Sequence, residues 1–122
     1  MPRKKILLVD DAETVLMMER MILSKSYDLM IAKNGEEAVV KAVREQPDLI
    51  LMDVVMPKLD GFQACQQIRR QASTSKIPII MVTTRSEAEN MEKGFEYGCN
   101  DYVTKPMSSL ELLSKVRNYI GE

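Results

Sequence analysis

Four short segments of the sequence that are typical of strands each run into side chains that can take part in chemistry. In chain order, these side chains are Asp10 and Asp11, then Asp53, Thr83 and Lys105. Carboxylates brought close together repel one another, by roughly 4 kcal/mol for a pair about 4 Å apart at an effective dielectric constant of about 20. A divalent cation such as Mg²⁺ removes that cost, and ammonium and hydroxyl groups beside it stabilise a phosphoryl group in transfer. These residue types therefore predict a Mg²⁺-dependent phosphoryl-transfer site. Asp53, which stands alone on its segment, is the predicted attacking carboxylate.

Each of these residues taken alone also has a simpler structural interpretation. Asp10 and Asp11 before a helix are typical N-terminal capping residues. Thr83 agrees with the preference of threonine for strands, and Lys105 before a proline is typical of a surface turn. The prediction of chemistry depends on their joint arrangement at successive strand ends.

The elements that must position these residues follow from the hydrophobic pattern. Short apolar runs alternate five times with segments of helical periodicity, which predicts a parallel sheet covered by helices on both faces. The predicted strands are 6–9, 28–32, 49–53, 77–82 and 101–103, and the predicted helices are 12–25, 35–46, 61–70, 86–98 and 108–120. Asn34, Ser86 and Ser108 are predicted caps. All strands of such a sheet present their carboxyl ends at one edge, where ligands bind in open α/β sheets.

Length and composition limit the classes of function. We expect one domain spanning residues 1–122, with no leader segment and no output domain. A formal net charge of −1 without a basic run argues against nucleic acid or membrane as the primary partner, and we expect a cytoplasmic protein. The chain contains no histidine, which excludes Ser-His and Cys-His nucleophile pairs.

Four segments of the chain resemble the receiver domain of two-component response regulators. They are Leu8–Asp11, Asp53–Gly61, Pro78–Thr83 and Gly98–Pro106, and the resemblance extends over essentially the whole chain. It implies a (βα)5 CheY-like, flavodoxin-like fold with the strand order 2-1-3-4-5. It also implies a bacterial phosphoprotein that acts in phosphorelay signalling and is not an enzyme with a substrate of its own.

The resemblance implies a role for each residue of the acidic site. Asp53 is the implied phosphoacceptor, which takes its phosphoryl group from the phosphohistidine of a sensor kinase or of a histidine phosphotransfer protein. Asp11, Asp53 and the backbone carbonyl of Val55 are implied to hold Mg²⁺, with Asp10 contributing through water. Lys105 is implied to contact the phosphoryl oxygens and to precede a cis proline bond.

The resemblance also implies a switch that passes the signal on. Thr83 would move toward the phosphoryl group and Tyr102 would follow it inward, which changes the face formed by residues 86–120 for a downstream effector protein. Thr84 departs from the family pattern, where a smaller residue is common. We expect a monomer or a weak, phosphorylation-dependent dimer.

The helix after Asp11 predicts a docking surface for the kinase. With residues at 100° intervals, Val15, Met18, Ile22 and Leu23 fall on one arc that suits burial against the sheet. Leu16, Met17 and Arg20 then fall on the solvent side, where single exposed apolar residues also occur without a function. We interpret these three residues as part of a helix-to-helix contact with the kinase.

Other functions compete with this interpretation. A flavin-mononucleotide carrier shares the topology, but Asp10 and Asp11 would repel its phosphate. A haloacid-dehalogenase-like phosphatase expects two aspartates one residue apart after the first strand, and this spacing is absent here. A non-enzymatic interaction module, or a phosphorelay intermediate without its own output, remains the alternative.

Overall fold

Parallel strands form a single sheet in the computed structural model of the protein, which describes residues 3–84, 88 and 91–121. The strands are β1 (Lys5–Val9), β2 (Asp28–Ala32), β3 (Leu49–Asp53), β4 (Ile79–Thr83) and β5 (Asp101–Thr104). They pair in the order β2-β1-β3-β4-β5, as the resemblance implies. All residues of β3 and β4 are buried, because both faces of these central strands are covered. Such strands need the continuous apolar runs that the sequence has there.

Helices cover both faces of the sheet, so the fold is the predicted doubly wound (βα)5 architecture. Within the described residues they are α1 (Glu13–Leu23), α2 (Gly35–Glu45), α3 (Gly61–Arg70), α4 (Met91–Glu96) and α5 (Ser109–Ile120). One hydrophobic cluster joins α2, α3 and Met91 of α4 to the sheet, and a second joins α1 and α5 to it. None of the described helices has the length and apolar content that crossing a membrane requires.

Several element boundaries differ from the predicted ones, by one or two residues. β4 begins at Ile79 and not at 77, because Pro78 has no N–H group to donate to a neighbouring strand. α4 ends at Glu96 and not at 98, since Gly98 has a φ of 106°, in the left-handed region that ends helices. α1 spans Glu13–Leu23, shorter at both ends than the predicted 12–25.

Two of the predicted caps form hydrogen bonds to the first turn of their helices. Asn34 Oδ1 accepts from the backbone N–H of Glu37 at 2.9 Å, and Ser108 Oγ accepts from that of Glu111 at 3.4 Å. These bonds satisfy N–H groups that have no partner within the helix. The predicted cap at Ser86 lies outside the described residues.

The buried face of α1 differs from the predicted one. Leu16, Glu19 and Leu23 are the buried residues of the helix, whereas Met18, predicted to be buried, is 44% exposed. At 100° per residue, the observed buried face is rotated by roughly 70° from the predicted apolar arc. The prediction was wrong because it was built on apolar residues alone, whereas the buried face includes Glu19 and is set by packing against the rest of the fold.

Candidate active site at the carboxyl edge of the sheet

Three carboxylates meet where β1 and β3 end. Asp10 follows β1 and is 1% exposed, Asp53 is the last residue of β3 and is 5% exposed, and Asp11 lies exposed beside them. One carboxylate oxygen of each lies within 4.8 Å of those of the other two. The short loop after β1 and the alignment of parallel strands bring them together, as the sequence predicts.

Asp10 is held by the backbone at the start of α1. Its Oδ1 accepts a hydrogen bond from the backbone N–H of Ala12 at 2.9 Å. Its Oδ2 is buried and accepts no hydrogen bond from the described residues. Burial raises the pKa of the Asp10 carboxyl, and this outweighs the lowering by the Ala12 N–H and by the charge of Lys105.

Lys105 places its ammonium group between two of these carboxylates. Its Nζ lies 3.0 Å from Asp53 Oδ1 and 3.6 Å from Asp10 Oδ2. Burial alone would lower the pKa of Lys105, but the hydrogen bond and the attraction to Asp53, together with Asp10, raise it above its usual value. The backbone fixes this position, because the Lys105 N–H donates to Thr83 O at 2.6 Å. The bond from Lys105 to Pro106 is cis, as the resemblance implies.

The two residues of the predicted switch lie on neighbouring strands. Thr83 ends β4, is buried, and donates from Oγ1 to the backbone oxygen of Thr84 at 3.2 Å. Tyr102 lies on β5, half-buried, with its ring 6.4 Å from that of Phe95 and 5.3 Å from Lys115 Nζ. The register pairs Met81 of β4 with Tyr102, two residues before Thr83. Thr83 and Tyr102 therefore lie on adjacent strands, two positions apart in the register.

The loop after Asp53 is anchored back against the end of β3. Gly61 donates its backbone N–H to Val54 O at 2.8 Å, and Asp60 and Gln63 form a reciprocal capping box at the start of α3. A Cβ atom at Gly61 would overlap the backbone oxygen of Asp53, so only glycine fits there. Val55, whose carbonyl is a predicted metal ligand, lies exposed in this loop.

The donor set of this edge fits Mg²⁺. Three carboxylates supply hard oxygen ligands, and only one ammonium group among the described residues lies within ion-pair distance of them. The buried Asp10 Oδ2 has ligand capacity that no hydrogen bond from the described part of the chain takes up. A bound divalent cation would be the largest positive charge in such a cluster.

The predicted docking surface on α1 is corrected at one of its three residues. Leu16 is 0% exposed and packs in the cluster that joins α1 and α5 to the sheet, so it belongs to the core. Met17 is 56% exposed, and the partly exposed Arg20 lies 3.8 Å from Glu13. Leu16 was misassigned because the buried face of α1 is rotated from the predicted one.

Glu19 is a residue that the sequence reasoning missed. It lies on the buried face of α1 and is 1% exposed. Burial, followed by the negative charge of Asp10, raises the pKa of Glu19 to about 8. The signal was present in the sequence, because Leu16, Glu19 and Leu23 are spaced three and four residues apart along one helical face.

Comparison with known proteins identifies the family. A family model described as the response regulator receiver domain matches residues 6–117. The chain belongs to this family. It is therefore a CheY-like receiver domain of two-component systems, a signalling module.

Two curated relatives and one solved structure show how far the similarity of this receiver domain extends. It is 44% identical over 115 residues to the alkaline phosphatase synthesis transcriptional regulatory protein PhoP of Bacillus subtilis, covering 93% of this chain and 47% of PhoP. It is 41% identical over 113 residues to protein PilH of Pseudomonas aeruginosa, covering 92% of this chain and 93% of PilH. The chain spans about half the length of most of the curated relatives it matches.

The solved structure is the receiver domain of the sensor histidine kinase PA1611 from Pseudomonas aeruginosa. It superposes with a TM-score of 0.90 at 33% sequence identity, covering 98% of this chain and 99% of that domain. In that structure a magnesium ion is coordinated in the active-site cleft.

Proposed function

We propose that this receiver domain accepts a phosphoryl group on Asp53 in a Mg²⁺-dependent reaction and passes the signal to an effector protein. The donor is the phosphohistidine of a sensor kinase or of a histidine phosphotransfer protein. One observation carries the proposal: the buried Asp53 carboxylate ends the central strand within 4.8 Å of two other carboxylates and 3.0 Å from Lys105 Nζ. The magnesium ion in the related PA1611 domain supports the metal requirement.

The proposed transfer step forms one bond and breaks one bond. A carboxylate oxygen of Asp53 attacks phosphorus, the P–N bond of the phosphohistidine breaks, and the imidazole leaves with its electron pair. Lys105 shifts from Asp53 to the phosphoryl oxygens and balances their negative charge. Hydrolysis removes the group: water attacks phosphorus, the bond between phosphorus and the Asp53 oxygen breaks, and inorganic phosphate leaves while the carboxylate is restored.

The metal has a defined place in this proposal. Asp11, Asp53 and the carbonyl of Val55 would hold Mg²⁺, and Asp10 would reach it through water. When bound, the ion supplies positive charge that neutralises the acidic cluster and the incoming phosphoryl group.

The output follows from differential contacts of the phosphoryl group. Once attached, the group attracts the Thr83 hydroxyl and so favours a conformation with Thr83 turned toward the site. Tyr102 then moves into the space beside Thr83 and leaves its contacts with Phe95 and Lys115. The face formed by residues 86–120 changes as a result, and an effector protein binds the changed face. The receiver domain itself is a monomer or a weak, phosphorylation-dependent dimer.

The proposal is tested with a small phosphoryl donor. Incubation with acetyl phosphate and Mg²⁺ adds one phosphoryl group to the wild-type domain, detected by intact-protein mass spectrometry, and a chelator prevents it. Asp53→Asn, which keeps the size of the side chain, does not gain the group. A variant that is phosphorylated at the wild-type rate would refute Asp53 as the acceptor.

A further inference from the structure

Lys115 of α5 is held against the strand that carries Tyr102. Its Nζ donates to Asp101 Oδ1 at 2.9 Å and to the backbone oxygen of Tyr102 at 2.5 Å, and both acceptors belong to β5. Asp101 Oδ1 also accepts from the backbone N–H of Tyr102 at 2.8 Å. The position of the ammonium group is therefore fixed by carboxylate and backbone oxygens, and not by the tyrosine ring.

The same ammonium group also attracts the ring of Tyr102. Nζ lies 5.3 Å from the ring centroid, within the range at which a cation is attracted to the face of an aromatic ring. The side chains of Lys115 and Asp101 are both partly buried, so salt screens this attraction less than it would screen one between exposed groups. The ring of Phe95 on α4 meets the Tyr102 ring edge-on, with 6.4 Å between the centroids. Lys115 and Phe95 thus both stabilise the observed position of the Tyr102 ring.

Rotation of the Tyr102 side chain would remove only one of the contacts of Lys115. The hydrogen bonds to Asp101 and to the Tyr102 backbone oxygen do not involve the ring, so they can persist when the ring turns toward Thr83. The attraction between the ammonium group and the ring is then lost. A contact that exists in only one of two conformations shifts their equilibrium by the free energy of that contact.

We propose that Lys115 restrains the receiver switch, because its ammonium group stabilises the Tyr102 ring in the position that this structure shows. This inference rests on the switch of the proposed function and adds a residue of α5 that regulates it. A cation placed over a ring at an exposed site changes an equilibrium constant by about two- to fivefold. Lys115 therefore sets how readily a phosphoryl group on Asp53 shifts the domain, although it acts on the ring and not on the reacting carboxylate.

Lys115→Met tests the proposal, because it removes the charge and keeps the length of the side chain. The probe is the beryllium trifluoride anion with Mg²⁺, a phosphoryl analogue that attaches to a carboxylate oxygen, so that an affinity is measured and not a rate. Without the restraint a larger fraction of the domain is ready to bind. We expect the Kd of the variant, measured by isothermal titration calorimetry, to be about two- to fivefold lower than that of the wild type. Loss of a positive charge by itself would weaken the binding of an anion, so the sign of the change separates the two effects.

Two further variants of α5 serve as controls. Lys115→Arg keeps a cation over the ring and should bind the analogue within about twofold of the wild type. Arg117→Met removes a positive charge at an exposed position of the same helix and should not tighten binding. NMR chemical shifts of the Tyr102 ring give a second measurement. Without the analogue, those of Lys115→Met should move toward the shifts of the analogue-bound wild type.

A double-mutant cycle tests whether Lys115 acts through the ring. In the Tyr102→Leu background, which lacks the ring, Lys115→Met should not tighten binding. The inference is overturned if Lys115→Met binds the analogue no more tightly than the wild type, or if the gain persists without the ring. It is also overturned if Lys115→Arg shows the same gain as Lys115→Met. A wild-type domain that does not bind the analogue, or binds it with no change at the Tyr102 ring, would overturn the proposed function as well, which distinguishes the two failures.

Discussion

At the scale of single residues, burial and charge act against each other in the acidic site. Asp10 is removed from water, which disfavours its charged form, while Lys105 at 3.6 Å favours it. Lys105 Nζ lies closer to Asp53 Oδ1, at 3.0 Å. Its single positive charge compensates only part of the negative charge of the carboxylate cluster. The site is therefore ready for a cation of higher charge, at some cost to the stability of the metal-free fold.

Glu19 makes the stability of the metal-free domain depend on pH. Its folded-state pKa of about 8 lies above the ordinary value of 4.5, so between these values the native state holds a proton that the unfolded state has released. The stability that this proton contributes is therefore fully present below pH 4.5 and is lost as the pH rises toward 8. Glu19 contributes a slope of about 1 kcal/mol per pH unit across this window.

Urea unfolding in the presence of a chelator, at several pH values between 5 and 8, measures this slope. The free energy of unfolding of Glu19→Gln should fall less steeply than that of the wild type, because the amide does not titrate. Parallel pH dependences would show that Glu19 titrates normally in the native state.

At the scale of elements, α3 begins against the end of β3, the strand that carries Asp53. The Asp60–Gln63 capping box and the Gly61 N–H bond to Val54 fix the helix start against the end of β3. The fit is so close that the Cα of Gly61 leaves no space for a side chain beside Asp53 O. The loop that carries Val55 is thus held at both ends, which limits where its carbonyl can point.

Gly61→Ala should destabilise the domain and slow phosphorylation. The added methyl group collides with the backbone of Asp53, and a backbone shift of this kind costs about 2 kcal/mol or more. Thermal unfolding and the rate of phosphorylation by acetyl phosphate measure the two effects. Gln67→Ala, at an exposed position of the same helix, is the control. Equal melting temperatures would mean that the strand end has room to relax.

Thr83→Ala should separate phosphorylation from switching between β4 and β5. The variant keeps Asp53 and Lys105, so it should still accept a phosphoryl group from acetyl phosphate. Without the Thr83 hydroxyl, however, nothing at this position draws the end of β4 toward the phosphoryl group. The Tyr102 ring should therefore stay beside Phe95. NMR chemical shifts of the Tyr102 ring, compared with those of Asp53→Asn, measure the response. A wild-type response in the Ala variant would refute the coupling.

Met17→Glu on α1 should slow transfer from the cognate phosphorylated kinase without slowing acetyl phosphate. Met17 is 56% exposed on the helix that follows Asp11, so a charge there is tolerated by the fold but disfavoured in an apolar contact. Val40→Glu, an exposed position on α2, is the matched control. If both donors slow equally in the Met17 variant, the residue acts on the site and not on docking.

At the scale of the whole molecule, the doubly wound sheet concentrates the chemistry at one edge. β1 and β3 bring in acids, β4 a hydroxyl group, and the turn after β5 an ammonium group, each on a different connection. The apolar clusters on both faces hold these connections together. A ligand that binds at this edge of the folded domain therefore stabilises the whole domain against unfolding.

Mg²⁺ should raise the free energy of unfolding, by about 3 kcal/mol at a concentration roughly 100 times its Kd. An ion that binds only the folded state stabilises it by mass action, and at this site it would also cancel the repulsion among the carboxylates. Asp11→Ala should lose most of this gain, because Asp11 offers an exposed carboxylate in the cluster. Asp28→Ala, an exposed acid at the opposite edge of the sheet, should keep it. Equal gains in all three proteins would place the metal elsewhere.

The sequence by itself determined the architecture and the membership of the acidic site. Buried parallel strands need continuous apolar runs, and their connections return every strand in the same direction, so the residues after each run share one edge. Asp10, Asp11, Asp53, Thr83 and Lys105 could therefore be grouped from their positions alone. Their roles in catalysis and metal binding stay predictions that the experiments above test.

Only the tertiary structure decided the rotation of α1 about its axis. The hydrophobic pattern alone favours an apolar arc of Val15, Met18, Ile22 and Leu23 and therefore leaves Leu16 on the solvent side. In the fold, packing against the sheet and α5 buries Leu16, and Glu19 is buried on the same face of α1. Helix rotation is set by side-chain packing between distant segments and by polar groups that those segments supply. A local pattern contains neither, because both exist only once the chain has folded.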